Sequence, residues 1–334
     1  MRVHLFLFAS AVVVGSLFGA TEPLSVGEKP APTVEGILGY ILSNSYKEID
    51  AKRCETPLRN ALMRARFADW SEQNSINHSL QKKGCLDRWS SIHSATPPPT
   101  RVTAPALPGF LSPSSTLYSQ TLLPPLMPQT VKYERIGSYA YVQITRFAWG
   151  TGEKFKAVVE DIVRDPPQVL VLDLRGNPGG FLSQAYEVLD AFSPQPYTPA
   201  VSMHYRSETW VDHKTHGYGP LAGLPTVILV DGGTISAAEL TAAVLREWYP
   251  KEVIMLVGSP TFGKGLMQVV HANWWNTLGI TLTLTEGEFF PGANMAVKVD
   301  GVGLTPDIRV VGNASALDVA LRMVPTVQSG WKLR

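Results

Sequence analysis

Neither charge sign dominates this sequence: the formal net charge is +1 and 17% of the residues are charged. A nucleic-acid surface and an acidic tail both need a one-signed excess, so composition points away from each. Cysteine is scarce as well. Cys54 and Cys85 allow at most one disulfide, closing a loop of about thirty residues and worth ~3–4 kcal/mol in the chain-entropy model. They read as structural rather than catalytic. Long apolar runs are missing except near the start. Met1–Ala20 carries Arg2 and His4, then an apolar stretch from Leu5 to Phe18, too short for a full bilayer span and weakly flanked. It reads as a secretory signal peptide, the other reading being an uncleaved membrane tether. No cysteine follows it directly, so a lipid anchor has no support. The length of 334 residues allows two domains and a substantial core.

One stretch, Pro225–Gln268, concentrates the chemistry. Val227–Val230 is an apolar run of buried-strand length, broken by Asp231-Gly232-Gly233. Leu240, Val244, Leu245 and Trp248 then recur at helical spacing, and the short apolar run Val253–Val257 leads to Thr261-Phe262-Gly263-Lys264-Gly265. Ser236 therefore stands at a strand-to-helix turn, and Lys264 in a glycine-flanked loop after the next strand. Each has two readings. Ser236-Ala-Ala-Glu239 is a capping box, in which the hydroxyl caps a backbone N–H. The same position also exposes a serine beside free helix N–H groups suited to an oxyanion. Gly258-x-x-x-x-Gly263-Lys264 has the outline of a phosphate loop, but such a loop needs Ser or Thr next for magnesium, and Gly265 follows. His213-x-x-His216 lacks further ligands at workable geometry, so no metal is expected. The polar stretch 204–223 around it reads as a surface loop.

Upstream, residues 33–50 read as a helix capped by Thr33, and Thr56-Pro57 as the start of a second helix with the stripe Leu58, Ala61, Leu62 and Ala65. From Ser94 to Gln129 the composition shifts to Pro, Ser, Thr and Leu, the mark of an extended linker or strapping loop. The expected division is a signal peptide over 1–20, a helical module over 24–93, a linker over 94–130 and an α/β domain over 131–334. Within the last, 136–144 alternates as a strand, Glu153–Val163 is a helix, Val169–Leu174 is a buried strand and Ala316–Val324 is a terminal helix. The strand at 169–174 enters the turn Arg175-Gly176-Asn177-Pro178-Gly179-Gly180. Its glycines either supply positive φ to a plain tight turn or let a backbone N–H approach a substrate carbonyl.

Val169–Gly180 (VLVLDLRGNPGG), GGTISAAEL and TFGKGLMQ, in that order, resemble the carboxyl-terminal processing (tail-specific) protease family, and Thr283–Asp307 resembles its T-x-x-x-Y-x-x-P-x-G … G-x-x-P-D segment. Several motifs in one order are more specific than any single one. The resemblance implies an α/β core of the crotonase and Clp-protease type, with a small N-terminal helical module. The family's S-A-S-A-S-E pattern puts Thr234, Ser236 and Ala238 at its three serine positions, so only the middle one, the nucleophile, is serine here. The resemblance further implies Lys264 as general base, Gln268 as the residue that orients it, and an oxyanion hole from Gly179 or Gly180 together with Ala237. The distance from Ser236 to Lys264 is slightly longer than the family's. Many members carry a PDZ domain where this chain has its Pro-rich stretch, which is too short for one.

The expected function is that of an exported serine endopeptidase, periplasmic or extracellular, with a Ser236–Lys264–Gln268 site. By that resemblance its substrates would be polypeptides cut near their C-termini after small or apolar residues, with no metal or organic cofactor. Neither nucleic acid nor, after signal removal, a stable membrane span is expected as a partner. Two alternatives stay open. One is a non-catalytic protein on the same fold that binds apolar ligands or peptides. The other is an esterase or amidase using the same dyad on small molecules.

Overall fold

A computed structural model describes residues 33–65, 68, 70–94, 129–271, 280–293, 297–310 and 315–323. The signal segment and nearly all of the Pro-rich stretch lie outside the described residues.

The first part is helical: α1 (Val34–Asn44), α2 (Ala51–Ala65) and α3 (Trp70–Lys82), followed by the short strand β1 (Ser91–Ser94). Thr33 caps α1 through its hydroxyl, which accepts from Gly36 N, but the helix ends at Asn44 and does not run to residue 50. α2 begins at Ala51, so Thr56-Pro57 is in its interior and is not its start. Asp50 begins the helix instead: its Oδ1 accepts from Arg53 N at 3.2 Å and its carbonyl accepts from Cys54 N. Pro57 removes one backbone donor, a cost offset by burying Cys54, Leu58, Ala61, Leu62 and Ala65 on one face. Cys54 is bonded to Cys85, which pins α2 to the loop leaving α3.

The larger part contains two sheets. β2 (Val131–Ile136) and β3 (Tyr139–Ile144) make a hairpin where the alternation suggested a single strand, since Gly137 turns the chain at φ +56. α4 (Thr151–Arg164), β4 (Val169–Asp173), α5 (Leu182–Asp190), β5 (Pro199–Tyr205) and β6 (Trp210–Lys214) follow. Much of 204–223 is thus a β5–β6 hairpin and not a loop. Its alternation was masked by polar residues on the exposed side of β6. Next come β7 (Thr226–Val230), α6 (Ala237–Trp248), β8 (Ile254–Gly258), β9 (Leu266–His271), β10 (Ile280–Pro291), β11 (Ile308–Arg309) and α7 (Ala316–Met323).

One sheet has the order β11-β8-β7-β4-β3-β2 and is parallel except for β2 at its edge. Leu170, Leu172, Ile228 and Val230 join the core containing α4, α5 and α6, while Val169, Val171, Val227 and Leu229 pack with α7. Covering both faces explains why β4 and β7 are apolar at nearly every position. Sites in such sheets collect at the carboxyl ends of the strands, where the loops after β4, β7 and β8 emerge. The second sheet is antiparallel, in the order β1-β10-β5-β6 with β9 also on β10. Through Ile280, Leu282 and Leu284, β10 enters the core of the helical module beside Ile37, Leu58 and Ile92.

Candidate active site

The loop after β7 is fastened to the turn after β4. Asp231 Oδ1 accepts from Gly176 N and Gly233 N, both at 2.9 Å. Thr234, at the first of the three serine-like positions, is buried; its hydroxyl donates to Leu174 O and accepts from Asp231 N. Ile235 N then donates to Asn177 O at 2.9 Å. These restraints deliver Ser236 at φ +57 and ψ −116, a backbone that costs a non-glycine residue ~1–3 kcal/mol and is most often kept for function. Ala237 and Ala238 follow at the start of α6 with no exposure.

The residue that joins the site is one the sequence marked only as a cap. Glu239 has 0% exposure, yet its carboxylate accepts four hydrogen bonds. Oε2 takes Ser236 N at 2.8 Å and Lys264 N at 2.9 Å. Oε1 takes Thr261 Oγ1 at 2.6 Å and Gly263 N at 2.7 Å. A carboxylate so deeply buried persists only when its lone pairs are satisfied in this way. The glutamate half of the capping box foreseen at Ser236–Glu239 forms, with the carboxylate accepting from Ser236 N, and the same glutamate also holds the lysine loop. Sequence signalled the box but not the second loop, which is distant in the chain and adjacent only in the fold.

Lys264 Nζ lies over the Trp89 ring, 4.3 Å from its centroid. Burial holds the amine below the ordinary lysine value; Asp87 and Glu239 oppose that shift, and Arg88 adds to it. Among the described residues no hydrogen bond joins Lys264 Nζ to Ser236 Oγ or to Gln268. Gln268 lies on β9 with its amide directed elsewhere: Nε2 donates to Leu266 O and to Thr285 Oγ1, both at 3.3 Å. The backbones of Ser236 and Lys264 are therefore brought together, while the side chains of Lys264 and Gln268 are not in contact by hydrogen bond.

The glycine pair divides its roles. Gly179 has φ +85, and a Cβ there would come 2.6 Å from Ile235 O and 2.9 Å from Ser236 Cβ. Its N–H donates to Asn177 Oδ1 at 2.9 Å, and Asn177 is itself buried and tied by Nδ2 to Ile144 O. Gly180, at φ +140, bridges to Phe147. Among the described residues neither Gly180 N–H nor Ala237 N–H donates to another protein group. Ala237 follows Ser236 directly, and Gly180 follows Gly179, which packs against Ser236; two such donors suit a developing oxyanion. The histidines named above have separate partners: His213 stacks on Tyr186 and His216 pairs with Asp190.

Residues 138–310 match the model of Peptidase family S41. This chain belongs to family S41. Its relatives include a carboxy-terminal-processing protease of Bartonella bacilliformis, 32% identical over 187 residues that make up 54% of this chain and 41% of the relative. The carboxy-terminal processing protease CtpB of Bacillus subtilis is 27% identical over 184 residues, 48% of this chain and 37% of the relative. The chain thus spans well under half the length of these curated relatives. Among solved structures, a lipoprotein from Streptococcus agalactiae shares the fold with a TM-score of 0.58 at 14% identity, over 88% of this chain and 96% of that one. Ser236, Lys264, Gln268, Glu239 and the glycine turn all fall inside the S41 match; Asp87, Arg88 and Trp89 fall outside it. Among the described residues no helix is long and apolar enough to cross a membrane.

Proposed function

We propose that this chain is an exported serine endopeptidase that cleaves polypeptides near their C-termini, with Ser236 as nucleophile and Lys264 as general base. The observation that carries this reading is the Glu239 carboxylate, one oxygen of which binds the backbone N–H of both residues. A capped helix alone would not need the second of those bonds. The names of the relatives, carboxy-terminal processing proteases, support substrates cut near a chain end. Export is supported by the Met1–Ala20 segment and by the Cys54–Cys85 disulfide, a bond that persists in oxidising compartments.

In this mechanism the neutral Lys264 amine takes the proton from Ser236 Oγ as that oxygen attacks the peptide carbonyl. Ala237 N–H and Gly180 N–H donate to the tetrahedral oxyanion, since Gly179 N–H is engaged by Asn177. The Lys264 ammonium then protonates the leaving amine, and the C-terminal fragment departs. Water, deprotonated by the same lysine, releases the acyl group from Ser236. Gln268 acts by orientation and adds no charge.

Fluorophosphonate labelling and casein hydrolysis, compared between the wild type and Ser236→Ala, test the reading. Both signals are expected to vanish in the variant, hydrolysis by several orders of magnitude, while stability stays within about 1 kcal/mol. A variant that keeps its turnover would sink the nucleophile assignment. A wild type that binds apolar ligands but is never labelled would be a carrier, and one that cleaves only small esters would be an esterase.

A further inference from the structure

We propose that Trp89 is a positioning residue for the Ser236–Lys264 reaction: the helical module supplies, through this indole, a wall that holds the Lys264 amine and keeps water from it. The inference rests on the peptidase reading above and concerns a residue outside the S41 match. Lys264 Nζ sits 4.3 Å from the centroid of the Trp89 ring. The same ring meets Phe262, two residues before the lysine, edge to face at 5.9 Å. The Arg88 guanidinium lies 4.6 Å from the Trp89 centroid, so the indole stands in a small stack of Arg88, Phe262 and the lysine amine.

Trp89 is held by more than its own packing. Asp87 Oδ1 accepts from Trp89 N and Ser90 N, both at 2.8 Å. Ser90 Oγ accepts from Thr285 N at 2.9 Å, which fixes the loop to β10. Four residues earlier, Cys85 ties the loop to α2. Trp89 Nε1 is meanwhile buried with no hydrogen-bond partner among the described residues. A tryptophan kept there at that cost is explained by what its ring covers rather than by its own polar group.

The ring acts on the lysine in two opposed ways. As a cation–π partner it favours the ammonium, by about one pH unit. As a cover it removes water and favours the neutral amine, an effect that reaches 3–5 units for a fully buried lysine and is smaller for Lys264, which is partly buried. Burial is also the largest influence on Lys264, and we set the indole's share of that burial above its cation–π pull. The charged groups facing the amine are Asp87 and Arg88 from the module loop and Glu239 from α6. Asp300, which accepts from Gly265 N, and Lys47 line the adjoining cleft. Asp87 and Glu239 accept backbone N–H groups that a side-chain change at position 89 leaves in place, whereas Arg88 loses the ring it stacks on.

The test is the pH dependence of kcat/KM on casein or a fluorogenic peptide for the wild type, Trp89→Phe, Trp89→Leu and Trp89→Ala. Trp89→Phe and Trp89→Leu, which keep an apolar cover, are expected within about threefold of wild type at all pH values. Trp89→Ala is expected to move the base ionisation up by about one unit, lowering kcat/KM about tenfold at neutral pH, with recovery at higher pH. If Trp89→Ala does not fold, Trp89→Gln, which replaces the apolar cover with a polar side chain, carries the same expectation. An unchanged ionisation, one that moves down, or a KM change with no shift in the profile would overturn the role of Trp89 and leave the peptidase reading intact. A wild type with no hydrolysis removable by Ser236→Ala would instead overturn the peptidase reading, and this inference with it.

Discussion

At pH 7 an exposed lysine is neutral in roughly one molecule in two thousand, so a lysine base depends on surroundings that disfavour its ammonium. Lys264 has them, since burial holds its amine below the ordinary value. Activity should therefore rise with pH along one ionisation that lies below the usual lysine range, because the neutral amine is the reactive form. Lys264→Arg should be almost inactive across that profile, as a guanidinium stays protonated; a pH–rate curve for the two proteins checks both points. Glu239 offers a second test at this scale. Glu239→Gln replaces an acceptor of four hydrogen bonds by an amide whose NH2 must face N–H or O–H donors. The expected cost is about 3 kcal/mol or more, together with loss of turnover, read from urea unfolding and casein hydrolysis. Normal stability with lost turnover would mean that the carboxylate serves chemistry rather than assembly. Gly179→Ala should lose activity because its Cβ would strike Ile235 O and Ser236 Cβ, displacing the proposed nucleophile.

The elements around the site differ in how firmly they are held. β4 and β7 lie in the middle of a sheet covered on both faces, so the turns after them start from a rigid base. The Asp87–Trp89 loop has no such support and relies on β1, on the Asp87 turn and on the disulfide at Cys85. Replacing Cys54 and Cys85 by serine removes a cross-link across a sequence separation of 31 residues. In the chain-entropy model that lowers stability by about 3–4 kcal/mol. Turnover should fall as well, since the loop that carries Trp89 loosens. Unfolding and hydrolysis measured on the variant and on reduced wild type would show both effects; a variant of unchanged stability would mean that packing alone holds α2 against the loop.

For the molecule as a whole, the helical module and the α/β part share a core. Ile280, Leu282 and Leu284 of β10 are buried among module side chains, and β1 forms one side of β10. A fragment spanning 131–334 would expose those three side chains, each worth about 1.5–3 kcal/mol when buried, and would leave a strand edge unpaired. Against a total stability of about 5–15 kcal/mol, that loss is large. The fragment is expected to be poorly folded, with raised dye binding and no hydrolysis, while the chain with residues 33–94 restored regains its fold and its hydrolysis. A fragment with a cooperative transition and full activity would show that the module is dispensable.

Much was determined by the sequence itself. Apolar runs at 169–174, 227–230 and 253–257 become β4, β7 and β8 because a parallel sheet buried on both faces leaves no polar alternation to confuse the reading. Ser236, Lys264 and the glycine turn stood out for a related reason: each loop follows such a strand and emerges at the same end of the sheet. Elements on half-exposed ground were less legible. α2 starts at Asp50 rather than Thr56-Pro57 because burial of its apolar face outweighs one proline, and the β5–β6 hairpin hides behind exposed polar residues. Only the tertiary structure decided what faces the lysine. Local pattern marked Glu239 as a cap and gave Trp89 no role. Yet Glu239 binds a loop 25 residues on, and Trp89 arrives from another module to cover Lys264. Hydrogen bonds and ring contacts of that kind are set by the packing of sheet against module, and no local window of sequence contains both partners.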